Sequence, residues 1–422
     1  MGRFAHIADV HLGSNREKAM RDLEIKAFSD AMDRCISEKV DFIIFSGDLF
    51  HTGIPDLSVV NEALRKISEV KDTGIPVYVI YGSHDYTPAG TSVIDLLTTA
   101  RMLQKVVKPR MEGGKLCLDS TRDPATGARL WGISARSNGL ERKYYEILDR
   151  ESLEAEDGFK IFVFHSGITE FKPPELVQME TIPISYFPRN FDYYAGGHIH
   201  SSGIYRQPGY DNIVFPGPLF TGYGKDLENS ARGEKRGFYI VDFDSKVRKI
   251  QFIDTTACSW AFLEFDATGK SSSEFSAEVS RGAEDADIRG RVVVLKLRGT
   301  IESGRTSDVD IGRIRERLIS NGALHVYVNR HSLFSREYSA VNYVETDLRV
   351  LEKKLILENI GNYRGSIAAL GGNKGAERAE ELLASMKQES KLNESKADYA
   401  SRKREEAIAL LGINNLLGAD ER

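Results

Sequence analysis

The chain has 422 residues, 41% hydrophobic and 28% charged, with a net charge of −5, which predicts two or three globular domains. The negative balance of 57 Lys and Arg against 62 Asp and Glu excludes a uniformly basic nucleic-acid-binding coat, but it allows a local basic face. Three separated cysteines exclude a disulfide framework and a thiolate metal site, and no apolar run approaches the roughly 18–20 residues of a membrane span. We therefore expect a protein of the reducing cell interior.

Residues 1–255 alternate short apolar strands with helical patterns, which is typical of a layered α/β domain. The strands are rich in Val, Ile, Phe and Tyr and lack polar alternation, which favours a sheet covered on both faces. Helical spacing appears at residues 57–67 and 93–103. The predicted strands lie at residues 4–8, 42–45, 77–81, 160–164, 193–195, 212–215 and 238–243.

The pattern changes after residue 255. A polar stretch is followed by a strong strand at 290–300, a helix at 311–318 and a strand at 324–328, which predicts a small α+β module over residues 256–335. A linker is expected at 336–345, followed by a helical segment at 346–422.

The helical segment carries two apolar stripes with no evident surface to cover, which indicates a partner; packing on the protein's own body is the alternative. The stripes contain Leu348, Leu351 and Leu355, and Leu382, Leu383 and Met386.

Aspartates and histidines recur where predicted strands end, in "IADVH", "FSGDLFH", "YGSHD", "FVFHSG" and "GGHIH". Glycines in four of these segments allow tight backbone turns. The carboxyl ends of strands in an α/β sheet meet at one edge, and residues two apart in extended chain point the same way. The candidate residues are Asp9, His11, Asp48, His51, Ser83, His84, Asp85, His165, His198 and His200.

Mixed imidazole and carboxylate ligands suit divalent ions such as Mn²⁺, Zn²⁺ or Fe²⁺. Two such ions roughly 3.5–4 Å apart would activate a water and neutralise the charge of a phosphate. A site of this kind needs a bridging carboxylate, for which Asp48 is the natural candidate. A single histidine beside a strand is more often a core or surface residue. Five Asp- and His-containing segments in this order, each at the end of a predicted strand, instead favour a di-metal site.

The order of these motifs resembles the calcineurin-like metallophosphoesterase superfamily over residues 1–255. The segment "GDLFH", the spacing of the motifs, and the capping and helical regions that follow resemble a narrower family. This family is the nuclease subunit of DNA double-strand-break repair complexes, in its short archaeal or SbcD-like form. For the regions after residue 255, only size and order match. The resemblance implies an α/β four-layer sandwich, with helices on two mixed sheets, followed by a small α+β capping domain and a C-terminal helical segment.

The resemblance also implies two divalent ions, with Mn²⁺ as the expected metal. One ion is assigned to Asp9, His11 and His200. The other is assigned to His165 and His198, with Asp48 bridging both.

In the family, the position of His84 protonates the leaving oxygen and that of His51 contacts the phosphate. We expect Asp85 to orient His84; a simple turn carboxylate is the alternative. The usual family sequence here is GNHD, whose Asn binds the second ion, so this chain departs from the pattern at Ser83. The shorter serine predicts weaker metal binding at that ion, or a water in the place of the amide.

The implied activity is that of a DNA nuclease that cuts from 3′ ends and endonucleolytically at single strands and hairpins, in a cytoplasmic, nucleoid-associated setting. Basic residues of the loop at 221–237 and of the α+β module are candidates to contact backbone phosphates without sequence preference. A plain surface loop and a solvated strand edge guarded by charge are the alternatives. The candidates for DNA contact are Lys225, Arg232, Arg289 and Lys296.

Two further expectations concern protein partners. In the family, the tail helices bind an ABC-type coiled-coil ATPase, and helices like those at 57–67 and 93–103 form a homodimer. Exposed Val60, Leu64, Leu96 and Leu97 would support the dimer. A metallophosphoesterase for protein or small phosphate esters and a catalytically weakened scaffold for DNA and ATPase remain alternatives.

Overall fold

The computed structural model describes residues 1–336 except 88, 89, 137, 138, 174, 175, 177, 178 and 221, and then residues 356, 373–389, 391, 394 and 396–413. The chain divides into two compact units, Met1–Glu337 and Tyr338–Arg422.

The first sheet has six strands. They are β1 (Gly2–Ile7), β2 (Phe42–Phe45), β3 (Val77–Val79), β4 (Gln104–Lys105), β15 (Gly237–Phe243) and β16 (Val247–Asp254). Their spatial order is β16-β15-β1-β2-β3-β4. Strands β1 to β4 are parallel, whereas β15 and β16 are antiparallel additions at one edge.

The second sheet also has six strands, in the order β13-β14-β12-β9-β8-β7. They are β7 (Thr121–Arg122), β8 (Arg129–Ile133), β9 (Lys160–His165), β12 (Tyr193–Gly197), β13 (Gly203–Gln207) and β14 (Tyr210–Phe215). Its four central strands β8, β9, β12 and β14 are parallel. Two short strand pairs complete this part, β5 (Pro109–Glu112) with β6 (Lys115–Leu118) and β10 (Gly167–Ile168) with β11 (Thr181–Ile182).

Helices cover the outer faces of both sheets. They are α1 (Lys18–Ser37), α2 (Leu57–Asp72), α3 (Val93–Thr99), α4 (Arg142–Glu146), α5 (Arg150–Glu154) and α6 (Gly224–Ala231). Apolar side chains of α1 to α3 pack on the first sheet, and those of α4 and α5 pack on the second. A third core, which includes Phe42 and Tyr193, fills the space between the sheets. The predicted α/β four-layer sandwich is therefore confirmed.

The α+β module contains a third, fully parallel sheet in the order β17-β18-β19. Its elements are β17 (Ser259–Asp266), α7 (Ser272–Asp285), β18 (Arg291–Ile301), α8 (Ile311–Ser320) and β19 (His325–Ser335). The sequence interpretation missed β17 and α7. The polar run that becomes α7 begins with a capping box between Ser271 and Glu274, and it buries only a narrow stripe, Phe275, Val279 and Ala283.

The second unit contains two described helices, α9 (Asn373–Met386) and α10 (Lys396–Leu411), both within the predicted helical segment at 346–422. They contact each other through polar groups, including a 2.6 Å hydrogen bond from Ser385 Oγ to Glu406. Leu382 and Leu383 are half-buried, and Met386 is 55% exposed. The stripe Leu348, Leu351 and Leu355 lies outside the described residues. None of the described helices is long and apolar enough to cross a lipid bilayer.

The expected dimerisation surface differs from the sequence interpretation. Leu97 is buried in the core and Val60 and Leu64 are half-buried, because these side chains face the first sheet. Leu96 is 62% exposed and Leu57 is 81% exposed. The expectation of exposure was thus wrong for Leu97.

Candidate metal centre

The predicted site residues lie together at the carboxyl ends of the parallel strands of the first two sheets. Asp9 follows β1, Asp48 follows β2 and His84 follows β3. His165 is the last residue of β9, and His198 follows β12. The sandwich therefore brings two sheet edges to one place, although each strand carries only one or two of the polar side chains.

The backbone at this edge is turned sharply. Asp9, His11 and Asp48 have φ angles of 50°, 49° and 52°, and His198 has a φ of 83°. Left-handed φ values are uncommon for residues other than glycine, and they cluster at functional sites. These turns direct consecutive polar side chains into one small volume.

In the part of the chain that the structure describes, three groups of side chains have ligand atoms within 4.8 Å of one another. Two groups contain the same residues that the resemblance assigns to the two ions. The three groups are Asp9 with His11 and His200, Asp48 with His165 and His198, and His11 with His51 and His84.

Two glycines allow these groups to approach. A Cβ on Gly47, whose φ is 96°, would lie 2.3 Å from Nδ1 of His165. A Cβ on Gly82 would lie 2.0 Å from Oδ1 of Asp48. Neither position has room for a side chain, so both glycines keep the carboxylate and the imidazole in place.

The donor set fits divalent cations. His165 Nδ1 lies 2.8 Å from the carbonyl oxygen of Ser46, so this nitrogen carries a hydrogen, and Nε2 faces Asp48 Oδ2 at 3.1 Å. His11 Nε2 lies 3.3 Å from His200 Nε2, and buried Nδ1 of His11 has no hydrogen-bond partner among the described residues. Lone pairs that face one another in a buried site need a proton or a metal ion between them.

The charges of Asp48 and His165 depend on each other. Burial opposes ionisation of Asp48, but His165 and the other imidazoles outweigh it and hold the pKa of Asp48 well below its usual range. Burial disfavours the imidazolium form of His165, but Asp48 outweighs it and raises the pKa of His165 to about 10. Without a metal ion, the negative charge of the Asp48 carboxylate is therefore balanced by a proton on His165.

His84 is held at both ring nitrogens. Nδ1 lies 2.9 Å from the carbonyl oxygen of His51, so Nδ1 donates a hydrogen. Nε2 lies 3.1 Å from the hydroxyl of Tyr223, and the backbone N–H of His84 donates to Asp48 Oδ1 at 2.8 Å. The His84 and His51 rings stack with their centroids 5.0 Å apart. Because Nδ1 is occupied, Nε2 is the nitrogen that can exchange a proton with a ligand.

The expectation that Asp85 orients the His84 ring is wrong. The carboxylate of Asp85 accepts hydrogen bonds from the backbone N–H groups of Asp48 and Gly82 at 2.8 Å and of Phe50 at 3.2 Å. Burial and the charge of Asp48 raise the pKa of Asp85 to about 7. Asp85 therefore joins the loops after β2 and β3 and acts on the site through the backbone.

Ser83 lies at the site, with Oγ 3.3 Å from Oδ2 of Asp48. Its side chain is shorter than the asparagine usual in the resembling family. The hydroxyl of Ser83 donates to the carboxylate of Asp48. The site therefore lacks the neutral amide oxygen that an asparagine at this position would offer to a metal ion.

Three residues near the site were not identified from the sequence as part of it. Tyr223 lies against His84, Asp226 Oδ2 lies 2.6 Å from Nδ1 of His200, and Arg236 donates to the carbonyl oxygen of His200 at 2.9 Å. They follow the sequence Pro-Gly-Pro at residues 216–218, in a stretch that the sequence interpretation treated as a basic loop. No spacing or motif distinguishes them there; only their nearness in space does.

The four candidate DNA contacts have different environments. Lys225 and Arg289 are exposed, and no ion pair is recorded for either among the described residues. Arg232 pairs with Glu264 at 3.1 Å. Lys296 is half-buried and pairs with Glu228, so its ammonium group already has a partner within the protein.

Comparisons with known proteins are consistent with this geometry. Residues 2–202 match the family model of the calcineurin-like phosphoesterases. The DNA double-strand break repair protein Mre11 of Sulfurisphaera tokodaii is 29% identical over 256 residues, covering 60% of this chain and 62% of that protein. Mre11 of Methanococcus maripaludis is 26% identical, covering 60% and 66%. Mre11 of Archaeoglobus fulgidus is 25% identical over 435 residues, covering 96% of this chain and 94% of the relative.

The extent of these alignments differs. The first two span less than two thirds of the relatives' own lengths, whereas the third spans nearly all of both chains. The similarity to the Archaeoglobus fulgidus protein therefore extends beyond the phosphoesterase region into the α+β module and the second unit.

Proposed function

We propose that the protein is a metal-dependent DNA nuclease of double-strand-break repair, because residues 2–202 match the family of calcineurin-like phosphoesterases. It hydrolyses phosphodiesters from 3′ ends and cuts single strands and hairpins. The observation that carries the proposal is the convergence of two Asp/His ligand sets around Asp48. DNA as the substrate is supported by relatives named DNA double-strand break repair proteins, one of which aligns along nearly the whole chain.

In this proposal, the phosphoesterase domain holds two divalent ions, and Mn²⁺ suits a mixed carboxylate and imidazole set. When bound, the ions would supply positive charge that polarises the phosphate and acidifies the attacking water. Asp9, His11 and His200 would hold one ion. His165 and His198, with a contribution from Ser83, would hold the other, and Asp48 would be shared by the two sets.

Two further imidazoles, those of His84 and His51, act on the leaving group and on the phosphate. His84 donates a proton from Nε2 to the leaving oxygen, since the carbonyl of His51 already accepts from Nδ1. The buried Nδ1 of His51 has no partner among the described residues, and we assign this ring to contact with the phosphate. Asp85 keeps the loop of His84 in register with that of Asp48.

The remaining regions are assigned to DNA and protein partners. Residues 1–255 form the nuclease domain, 256–335 a capping domain that faces DNA, 336–345 a linker and 346–422 a segment that binds an ABC-type ATPase. Lys225 and Arg289 remain the proposed phosphate contacts, with a smaller part for Arg232. Exposed Leu57 and Leu96 support a homodimer through α2 and α3.

A comparison of DNA with a small phosphate diester as substrates tests the proposal. In Mn²⁺, the purified chain should degrade 3′ ends and single strands of DNA faster than it hydrolyses a small aryl phosphate diester. Hydrolysis of the aryl diester without DNA cleavage would point to a phosphoesterase for small esters. Mn²⁺-dependent DNA binding without any hydrolysis would point to a scaffold, and either result would overturn the nuclease proposal.

Replacing Ser83 by asparagine should tighten Mn²⁺ binding at the second ion, because the amide oxygen adds a ligand that the hydroxyl supplies poorly. We expect a gain of about tenfold, the lower end of the 10- to 100-fold effect of single substitutions around metal sites. Calorimetric titration of the metal-free protein measures it. Ser202→Asn, at an exposed serine outside the proposed metal ligands, is the control. Equal affinities of wild type and Ser83→Asn would contradict the prediction.

Deletion of residues 341–422 should abolish association with the ATPase partner and leave the nuclease activity of the chain alone unchanged. Met1–Glu337 is a compact unit with its own cores, so the shortened chain should fold. Co-purification with the ATPase and a nuclease assay measure the two outcomes. The substitution Met386→Asp places a charge in the exposed end of the stripe, and Lys387→Asp is its neighbouring control. Association that survives the deletion would contradict the assignment of this segment.

A further inference from the structure

Helix α6 lies between the metal centre and the third sheet. Its first two turns present carboxylates in two directions, Asp226 toward the site and Glu228 toward the α+β module. Both carboxylates are buried, at 6% and 4% exposure. A buried carboxylate is costly unless it is paired or hydrogen-bonded. The partners of Asp226 and Glu228 therefore show which parts of the protein the helix connects.

On the side of the site, Asp226 holds a proposed metal ligand. Its Oδ2 lies 2.6 Å from Nδ1 of His200, which leaves Nε2 of that ring facing His11. Arg236, itself 6% exposed, donates to the main-chain oxygens of His200 and Asp226 at 2.9 and 3.2 Å. The ring of His200 is therefore fixed in tautomer and direction by a carboxylate that is itself held.

On the side of the module, Glu228 binds two strands of the third sheet. Its Oε1 pairs with Lys296 of β18, and its Oε2 accepts from Nδ2 of Asn329 of β19 at 3.1 Å. A Cβ on Gly224 would lie 1.9 Å from the hydroxyl of Tyr327, so the start of the helix also touches β19. The position of α6 is thus set by contacts to β18 and β19.

We propose that α6 is a positioning element that links the α+β module to the metal centre: Asp226 orients His200 toward the ion, and Glu228 fixes the helix to Lys296 and Asn329. The inference rests on the proposed function only in that an ion binds at His200. A carboxylate behind a metal-binding histidine sets its tautomer and raises its basicity. Through α6, the affinity for the metal ion depends on contacts with the third sheet, although that sheet supplies none of the proposed ligands.

The first test measures Mn²⁺ binding to the metal-free full chain by calorimetry, in the absence of DNA. Asp226→Asn should weaken binding at one of the two ions about 10- to 100-fold. Asp226→Glu, which restores the charge, should recover part of the loss. Asp244→Asn, at an exposed carboxylate of the β15–β16 turn, should bind as the wild type. Wild-type affinity of Asp226→Asn would overturn the proposal.

The second test addresses the link to the module. Glu228→Gln and Lys296→Met should each weaken Mn²⁺ binding about twofold or more, although neither residue is near the ligand atoms. Combined with Asp226→Asn, Glu228→Gln should add little further loss, because both act through His200. Fully additive losses, or none from the two module variants, would overturn the link, and thermal unfolding of the metal-free variants shows whether they fold.

The two proposals fail separately in these experiments. A chain that binds Mn²⁺ in an Asp226-dependent way but cuts no DNA keeps the positioning role of α6 and loses the nuclease proposal. A chain that cuts DNA while Asp226→Asn binds Mn²⁺ normally keeps the nuclease proposal and loses the positioning role.

Discussion

Replacing Asp48 by asparagine is expected to abolish hydrolysis and to remove Mn²⁺ binding at both ions. Asp48 lies within reach of His11 at 3.7 Å and of His165 Nε2 at 3.1 Å, one from each ligand set. Asp9 approaches His165 only at Nδ1, at 3.9 Å, and that nitrogen already donates to the carbonyl oxygen of Ser46. Stabilisation of the transition state by metal ions is worth several kcal/mol, which corresponds to a loss of about 10³-fold or more. Calorimetry and a DNA cleavage assay measure the two losses.

The fold of this variant should survive. Asparagine keeps an oxygen for the backbone N–H of His84, which donates to Asp48 Oδ1 at 2.8 Å. Wild-type protein should gain about 2.7 kcal/mol in free energy of unfolding at a Mn²⁺ concentration 100 times Kd, and Asp48→Asn should gain nothing. Residual Mn²⁺-dependent stabilisation of the variant would show that Asp48 does not bridge. Asp244→Asn is the matched control.

Replacing His84 by glutamine is expected to lower the rate of DNA cleavage by about 10²–10⁴-fold, the usual contribution of a general acid. Mn²⁺ affinity should remain that of the wild type, since His84 is not assigned to either ion. The loss should be far smaller on bis(4-nitrophenyl) phosphate, because nitrophenolate leaves without a proton.

The comparison of two leaving groups makes this prediction specific. An equal loss on both substrates would mean that His84 binds the phosphate and does not protonate the leaving oxygen. Weaker Mn²⁺ binding by His84→Gln would instead favour the third group, His11, His51 and His84, as a metal set. His331→Gln, at an exposed histidine of β19, should change neither rate.

Part of the fold was predictable because it depends on local pattern. Apolar strands such as Phe42–Phe45 are buried completely, so their sequences contain no polar alternation. Helix α7 was missed because its apolar stripe is narrow and its sequence is mostly polar, although the capping box at Ser271 marks its start. The strand β17 was missed because most of its side chains are only half-buried.

The charged residues around the site were predicted less well. Arg236 and Lys296 looked like surface cations, yet the first holds Asp226 and the second pairs with Glu228. Asp85 adjoins His84 in sequence but bonds to backbone N–H groups of other loops. Neighbours along the chain gave no information about these partners.

The sequence by itself determined which residues of ligand type stand at the ends of buried strands, and in what order. Burial of the strands and the tight turns after them are local properties, so Asp9, Asp48 and His198 could be assigned to one edge. Only the tertiary structure decided how the charges pair, how Asp226 supports His200 and what α6 joins. Electrostatic interactions depend on distance and burial in space, and these are set by the packing of sheets that are remote in sequence.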